Sequence, residues 1–213
     1  KQMEILEGME FHGIVIATLF KESVLRFTTR LDKMQIPYVL IDAFIENTHC
    51  LAYYGTNSFN SGYIAAKLMY QQIGPDDKLA VFRFIRKGDS CSTQVLKREE
   101  GFRTYLDENH FRGTIYPVHI HADDNEGNRN ILDSFFLLHG DVKAGIIFNS
   151  RVHVLGDYFK ARKKKDFKLI GYDILDENVA YLNNGLVTHL IAQRPEVQGV
   201  NCVRDLFRHL ILK

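Results

Sequence analysis

The feature that most constrains this chain is an alternation. Short apolar runs are each followed by a longer stretch with helical spacing, and the pattern repeats along the sequence. Gly13-Ile14-Val15-Ile16-Ala17-Thr18 reads as a buried strand between Gly and polar residues. Ser23 to Gln35 follows with Val24, Phe27, Leu31 and Met34 in steps of three and four, which gives a helix one buried face. Pro37 ends that helix, and Tyr38-Val39-Leu40-Ile41-Asp42 is the next strand. Further strands are expected over residues 51–54, 78–85, 114–120, 144–149, 167–172 and 186–192. Helices are expected from Asn57 or Ser58 to about Gln72 and over residues 93–109, 125–138, 152–163 and 175–182. A closing helix runs from Pro195 to Leu210 with proline in its first turn, and Gln2 to Met9 reads as the end of an earlier helix.

Strands alternating with helices of this length make parallel sheets with right-handed crossovers. The strands are continuous apolar runs, as sheets covered on both faces require. The expected class is therefore α/β. About eight strands are many for one sheet in a chain of this size, so two sheets in two lobes are expected.

Composition narrows the function. The 213 residues carry 27 Lys+Arg against 26 Asp+Glu, a net charge of +1, so no general field attracts polyanions. No apolar run approaches the ~18 residues that span a bilayer. Cys50, Cys91 and Cys202 are far apart and form no CxxC pair, which fits a reducing compartment and neither a disulfide framework nor a zinc site.

Ligands of open parallel sheets bind beyond the carboxyl ends of the strands. The residues there are Leu19-Phe20, Asp42-Ala43, Gly55-Thr56-Asn57, Arg86-Lys87-Gly88-Asp89-Ser90, His119-Ile120-His121, Asn149-Ser150-Arg151, Tyr172-Asp173 and Gln193-Arg194. They are polar, rich in amides and mixed in charge, which suits a hydrogen-bonding sugar better than a polyphosphate. Phosphate-loop, dinucleotide, nucleophile-elbow and HExxH patterns are absent, so an enzyme is not expected. Gly55 to Gly62 lacks the lysine of a phosphate loop and reads as a strand-to-helix turn. His119 and His121 share one side of a strand but have no evident third ligand, and no metal or cofactor is expected. Lys160 and Arg162 to Lys165 form a basic run at a helix end, read as solvated and favoured by the helix dipole.

Several segments, in order, resemble the lactose-repressor (LacI/GalR) family of bacterial transcription regulators. Ile36-Pro37-Tyr38-Val39-Leu40-Ile41-Asp42 resembles its IPVVxID strand, and Asn57 to Ala66 its DNxxxGxxAA helix start. Arg98-Glu99-Glu100-Gly101-Phe102 resembles RxxGF, and Ile146-Ile147-Phe148-Asn149 resembles the aiFxxND strand end. Leu169 to Asp173 resembles vxGfDd, and Leu186 to Leu190 followed by Gln193 resembles LTTixQ.

The resemblance implies a two-lobed, type I periplasmic-binding-protein-like fold. The first lobe would be residues 1–84 plus 194–213 and the second residues 85–193. It implies a small polar effector, a sugar, bound between the lobes. Arg98, Asn149, Asp173, Gln193 and Asn57 are the site residues it points to. It implies a cytoplasmic homodimer that reaches operator DNA only through a helix-turn-helix head lying outside this stretch, together with the first strands of the first lobe. A transport-type periplasmic sugar-binding protein is the alternative. The chain departs from the family at Asn57, Ser150 and Ile174, each replacing an acid, so the site is less acidic than the pattern. Arg98→Ala is expected to abolish binding and leave the fold intact.

Overall fold

The computed structural model describes residues 11–18, 20–85, 93–121 and 124–212. In chain order the elements are β1 (Ile14–Ala17), α1 (Lys21–Met34), β2 (Tyr38–Asp42), β3 (Ala52–Gly55), α2 (Ser58–Tyr70), β4 (Lys78–Ile85), α3 (Thr93–Glu108), β5 (Ile115–His121), α4 (Asn125–Leu138), β6 (Val142–Ile147), α5 (Val152–Ala161), β7 (Lys168–Tyr172), α6 (Asp176–Asn183), β8 (His189–Ile191) and α7 (Pro195–Ile211). Each is the strand or helix the periodicity predicts, with ends displaced by a few residues. The helix expected over Gln2 to Met9 lies outside the described residues. The chain forms two compact units, Lys1–Thr56 with Gln193–Lys213, and Asn57–Ala192.

The first unit is a three-stranded parallel sheet in the order β1-β2-β3. Val24, Phe27 and Leu31 of α1 pack on Ile16, Tyr38 and Leu40, the stripe that the three-four spacing predicts. Gln35 ends α1 in a left-handed turn, its N–H returning to Leu31 and Asp32, just before the helix-stopping Pro37. Helix α7 packs on the sheet, with Tyr54 of β3 donating to Asp205.

The second unit is a five-stranded parallel sheet in the order β5-β4-β6-β7-β8. Two buried clusters hold it. One includes Phe82, Ile147, Leu155, Phe159 and Leu169; the other includes Leu79, Val81, Phe102, Ile146, Phe148 and Tyr172. The inner strands β4, β6 and β7 are largely buried, which explains their apolar runs, whereas the edge strand β5 alternates buried and exposed residues.

The division of the chain differs from the expected break between residues 84 and 85. Strand β4 pairs with β5 on one side and β6 on the other, so it belongs to the second unit. Helix α2 goes with it because α2 and α3 lie backbone to backbone. A Cβ on Gly62 would sit 1.8 Å from the Arg98 carbonyl oxygen, and one on Gly101 would sit 2.0 Å from the Phe59 carbonyl oxygen. The two glycines of the recognised motifs thus face each other's helices. Periodicity cannot show which helix pairs with which, and the boundary was misplaced for that reason.

Candidate functional site

The site is built at the carboxyl ends of β6 and β7, and the residue that organises it is Arg98. Arg98 lies one turn into α3 and is only 2% exposed. Its Nη1 donates to the Phe148 carbonyl oxygen at 2.8 Å, and its guanidinium lies over the Tyr172 ring, 4.3 Å from the centroid. Phe148 directly precedes Asn149, and Tyr172 directly precedes Asp173. One buried cation therefore fixes the last residues before both predicted ligand-facing groups. The Tyr172 hydroxyl lies 3.3 Å from Ser61 Oγ, and burial pushes its pKa up.

Asn149 is half-buried, and its Oδ1 accepts from the Arg151 N–H at 2.9 Å, closing a small turn that starts α5. Arg151 in turn lies over the Phe84 ring at 5.3 Å, which ties this loop to the end of β4. Asp173 adopts a left-handed backbone with φ 66°. Its N–H donates to Ile191 O at 3.0 Å, and its carbonyl accepts from Asn178 Nδ2 at 3.0 Å. The turn redirects the chain immediately after β7, at the strand end where ligands of parallel sheets bind.

Arg98, Asn149 and Asp173 thus come together in the second unit. The other two predicted residues have hydrogen-bond partners in their own segments. Asn57 caps α2: its Oδ1 accepts from the Asn60 N–H at 2.9 Å. That is the capping role its position before Ser58 allows, and it uses the side-chain oxygen on its own helix. Gln193 opens the return of the chain into the first unit, where its carbonyl accepts from Gln198 Nε2 at 2.7 Å. The expectation that Arg98→Ala leaves the fold intact is also corrected, because the side chain spans α3, β6 and β7 from inside the core.

Beside Arg98, Glu99 is likewise buried and accepts from Arg83 Nη2 at 2.6 Å and from Arg103 Nε at 2.9 Å. Burial raises its pKa, and the two guanidinium partners more than offset this and hold it below the usual carboxylate value. The acid next to the signature arginine is therefore a structural link from α3 to β4.

Sequence reasoning missed Asn178. It lies on α6, fully buried, with its carboxamide among the carbonyls of Ser150, Tyr172 and Asp173. A usable signal existed: Asn178 and Tyr181 are three apart, on the buried stripe of a short helix, where a carboxamide needs partners. In the first unit Thr18 plays a smaller version of this part. Its hydroxyl donates to Ile41 O at 3.0 Å and accepts from the Ala43 N–H at 2.8 Å, joining the ends of β1 and β2.

The strand-end residues Leu19 and Arg86 to Ser90, like Cys91, lie outside the described residues. His119 and His121 are both exposed on the edge strand β5, and no group of three or more metal-binding side chains occurs among the described residues. In the basic run, Arg162 pairs with Asp133, and Lys164 lies over the Phe136 ring at 4.0 Å with its pKa lowered by burial. Gly55 to Gly62 spans the end of β3 and the capped start of α2, the strand-to-helix turn its missing lysine indicates.

A two-unit α/β chain of parallel sheets, with polar groups gathered at strand ends, is the architecture of a small-molecule binding protein. The chain belongs to the family of periplasmic binding protein domains, whose model matches residues 1–213. It is similar to a candidate LacI transcriptional regulator from Bacteroides fragilis, with 40% identity and a TM-score of 0.93, covering 99% of this chain and 73% of that one. It also shares its fold with GanP, a glucose-galactose binding protein from Geobacillus stearothermophilus, at 19% identity and TM-score 0.81, over 99% of this chain and 75% of that one. A third match is a solute-binding protein from Burkholderia graminis in complex with D-arabinose, at 17% identity and TM-score 0.83, over 98% of this chain and 73% of that one. No curated protein matches the sequence.

Proposed function

We propose that this chain is the effector-binding region of a transcriptional regulator and takes a small carbohydrate at the carboxyl ends of β6 and β7. The observation that carries the reading is the placement of Asn149 and Asp173 beside one another's strand ends, both set by Arg98. A carboxylate accepts from sugar hydroxyls, and an amide both donates and accepts, so the pair can read a polyol face. The regulator assignment draws support from the similarity to the Bacteroides fragilis protein at 40% identity.

In this reading ligand binding biases a conformational equilibrium, a second copy of the chain completes the functional unit, and a DNA-binding head outside these residues reads the operator in the cytoplasm. The chain's own part is binding, with no catalysis. A transport binding protein is the second reading, favoured by the fold shared with GanP and the arabinose-bound protein. No helix among the described residues is long and apolar enough to cross a membrane, which both readings allow.

Thermal melts of the chain with D-glucose, D-galactose and D-arabinose test the binding. A ligand held only by the folded state raises Tm in proportion to its occupancy. A rise that disappears in Asp173→Ala supports the site; a rise that survives both Asp173→Ala and Asn149→Ala places the ligand elsewhere. Operator binding by the longer protein, altered by the same sugar, separates regulator from transporter.

A further inference from the structure

We infer that Asn178 positions the ligand-facing ends of β6 and β7, and that His153 fixes the way round its carboxamide sits; the inference rests on the reading of those ends as the binding site. Asn178 Nδ2 is 2.9 Å from Ser150 O, 3.1 Å from Tyr172 O and 3.0 Å from Asp173 O. Ser150 belongs to the loop after β6, and Tyr172 and Asp173 end β7. A single buried amide therefore spans both loops and sets their separation.

The opposite edge of the carboxamide is committed as well. Its Oδ1 accepts from the His153 N–H at 3.2 Å and lies 3.1 Å from His153 Nδ1. Reversing the amide would turn Oδ1 toward three carbonyl oxygens and Nδ2 toward a backbone donor, so only one orientation satisfies the neighbours. With Oδ1 as acceptor, Nδ1 of His153 carries a hydrogen. His153 begins the second position of α5, directly behind Asn149-Ser150-Arg151, so this contact anchors the same loop from behind.

The need for such a clamp is visible in Asp173. An L-residue held at φ 66° resists that conformation, and the surrounding bonds must over-determine it. The bonds that do so are the Asp173 N–H to Ile191 O and the Asp173 carbonyl to Asn178. Loss of the amide releases the second bond and lets the carboxylate leave its ligand-facing position. Asn178 touches no ligand in this scheme; it acts through Asp173 and the Asn149–Arg151 loop.

Two measurements on the full chain test this. The first is amide hydrogen exchange without ligand. Asn178→Ala should speed exchange at the Asp173 and Arg151 N–H groups by about tenfold or more, with Ile146 and Ile170 in the strands unchanged. Unchanged protection at Asp173 overturns the inference. The second is calorimetry with whichever of D-glucose, D-galactose and D-arabinose stabilises the wild type most. Asn178→Ala should weaken affinity about tenfold. Val142→Ala, an equally buried truncation at the far, amino end of β6, should lower Tm and keep the wild-type affinity. Equal affinities in the two variants overturn the inference, because Asn178 would then be an ordinary core residue. If the wild type binds none of the sugars, the functional reading fails, and the exchange result alone decides whether Asn178 positions the loops.

Discussion

The two units solve the same folding problem with unequal means. Among the described residues the second has five strands, two buried clusters and helices against its sheet, and the first has three strands and one cluster. The contrast is sharpest in their helices. In the second unit α2 and α3 bury their contact so closely that glycine is required on both sides. In the first, α7 turns Cys202 inward and leaves Val197, Val200, Val203, Phe207 and Ile211 exposed along its outer side. Burial of apolar surface contributes roughly 25 cal/mol per Å², so the unit with the smaller buried core is expected to unfold first. The polar residues that the site reading uses most, Arg98, Asn149 and Asp173, all sit on the unit with the larger core, and Asp173 holds a left-handed backbone there.

The largest effect tests that inequality directly. Residues 57–192 expressed alone should fold with a single cooperative urea transition and native near-ultraviolet dichroism. The full chain should unfold in two steps, the first unit before the second. A disordered 57–192 fragment, or a single transition shared by both units, breaks the comparison.

Next in size is the helix contact that makes the second unit compact. In Gly101→Ala the new methyl group meets the Phe59 backbone, which cannot swing aside as a side chain can. The helix propensity gained, about 1 kcal/mol, is small beside the cost of forcing the two helices apart. The expected loss is about 3 kcal/mol in urea unfolding of the second unit, with the first unit's transition unmoved. A neutral result would show that α2 and α3 are further apart than this.

Arg98→Ala should cost somewhat less, about 2–3 kcal/mol, since it strips a charge-assisted bond from Phe148 O and a cation from the Tyr172 ring. Arg98→Lys should recover only part of this, because an ammonium cannot lie flat on the ring and donate in its plane as well. Full recovery by lysine would reduce the role of Arg98 to charge alone.

Much of the fold was legible because periodicity is local. Val24, Phe27 and Leu31 announce α1, and Pro37 announces its end, without any knowledge of what they pack against. The same holds for the capping of α2 by Asn57. What could not be read is what depends on pairing at a distance. Nothing local says that Gly62 meets Arg98 or that β4 pairs with β5 and β6. The site divides in the same way. Arg98, Asn149 and Asp173 were visible as polar residues in a recognised order, and their strand-end positions follow from the alternation. Asn178 was invisible as a site residue because its importance lies in three carbonyls contributed by two other loops. Arg98 was visible, but its burial against Phe148 and the Tyr172 ring was not, because those partners come from two distant strands.

The smallest expected effect concerns Glu99, and it separates charge from packing within the second unit. Its carboxylate keeps a pKa below the ordinary 4.5: burial raises it, and Arg83 and Arg103 together pull it down further than burial lifts it. Well above pH 4.5 the group is ionised whether the chain is folded or not, so its contribution is constant. As pH approaches that value the unfolded chain takes up the proton first, and the stabilisation is lost as pH falls through the folded value. Glu99→Gln should therefore cost about 1 kcal/mol at neutral pH, modest because Arg83 and Arg103 both keep access to solvent. The deficit should shrink in acid until variant and wild type unfold together. Urea titrations of the second unit at neutral pH and below pH 4 measure it, and a deficit that stays constant across that range would assign the effect of Glu99 to packing and not to its charge.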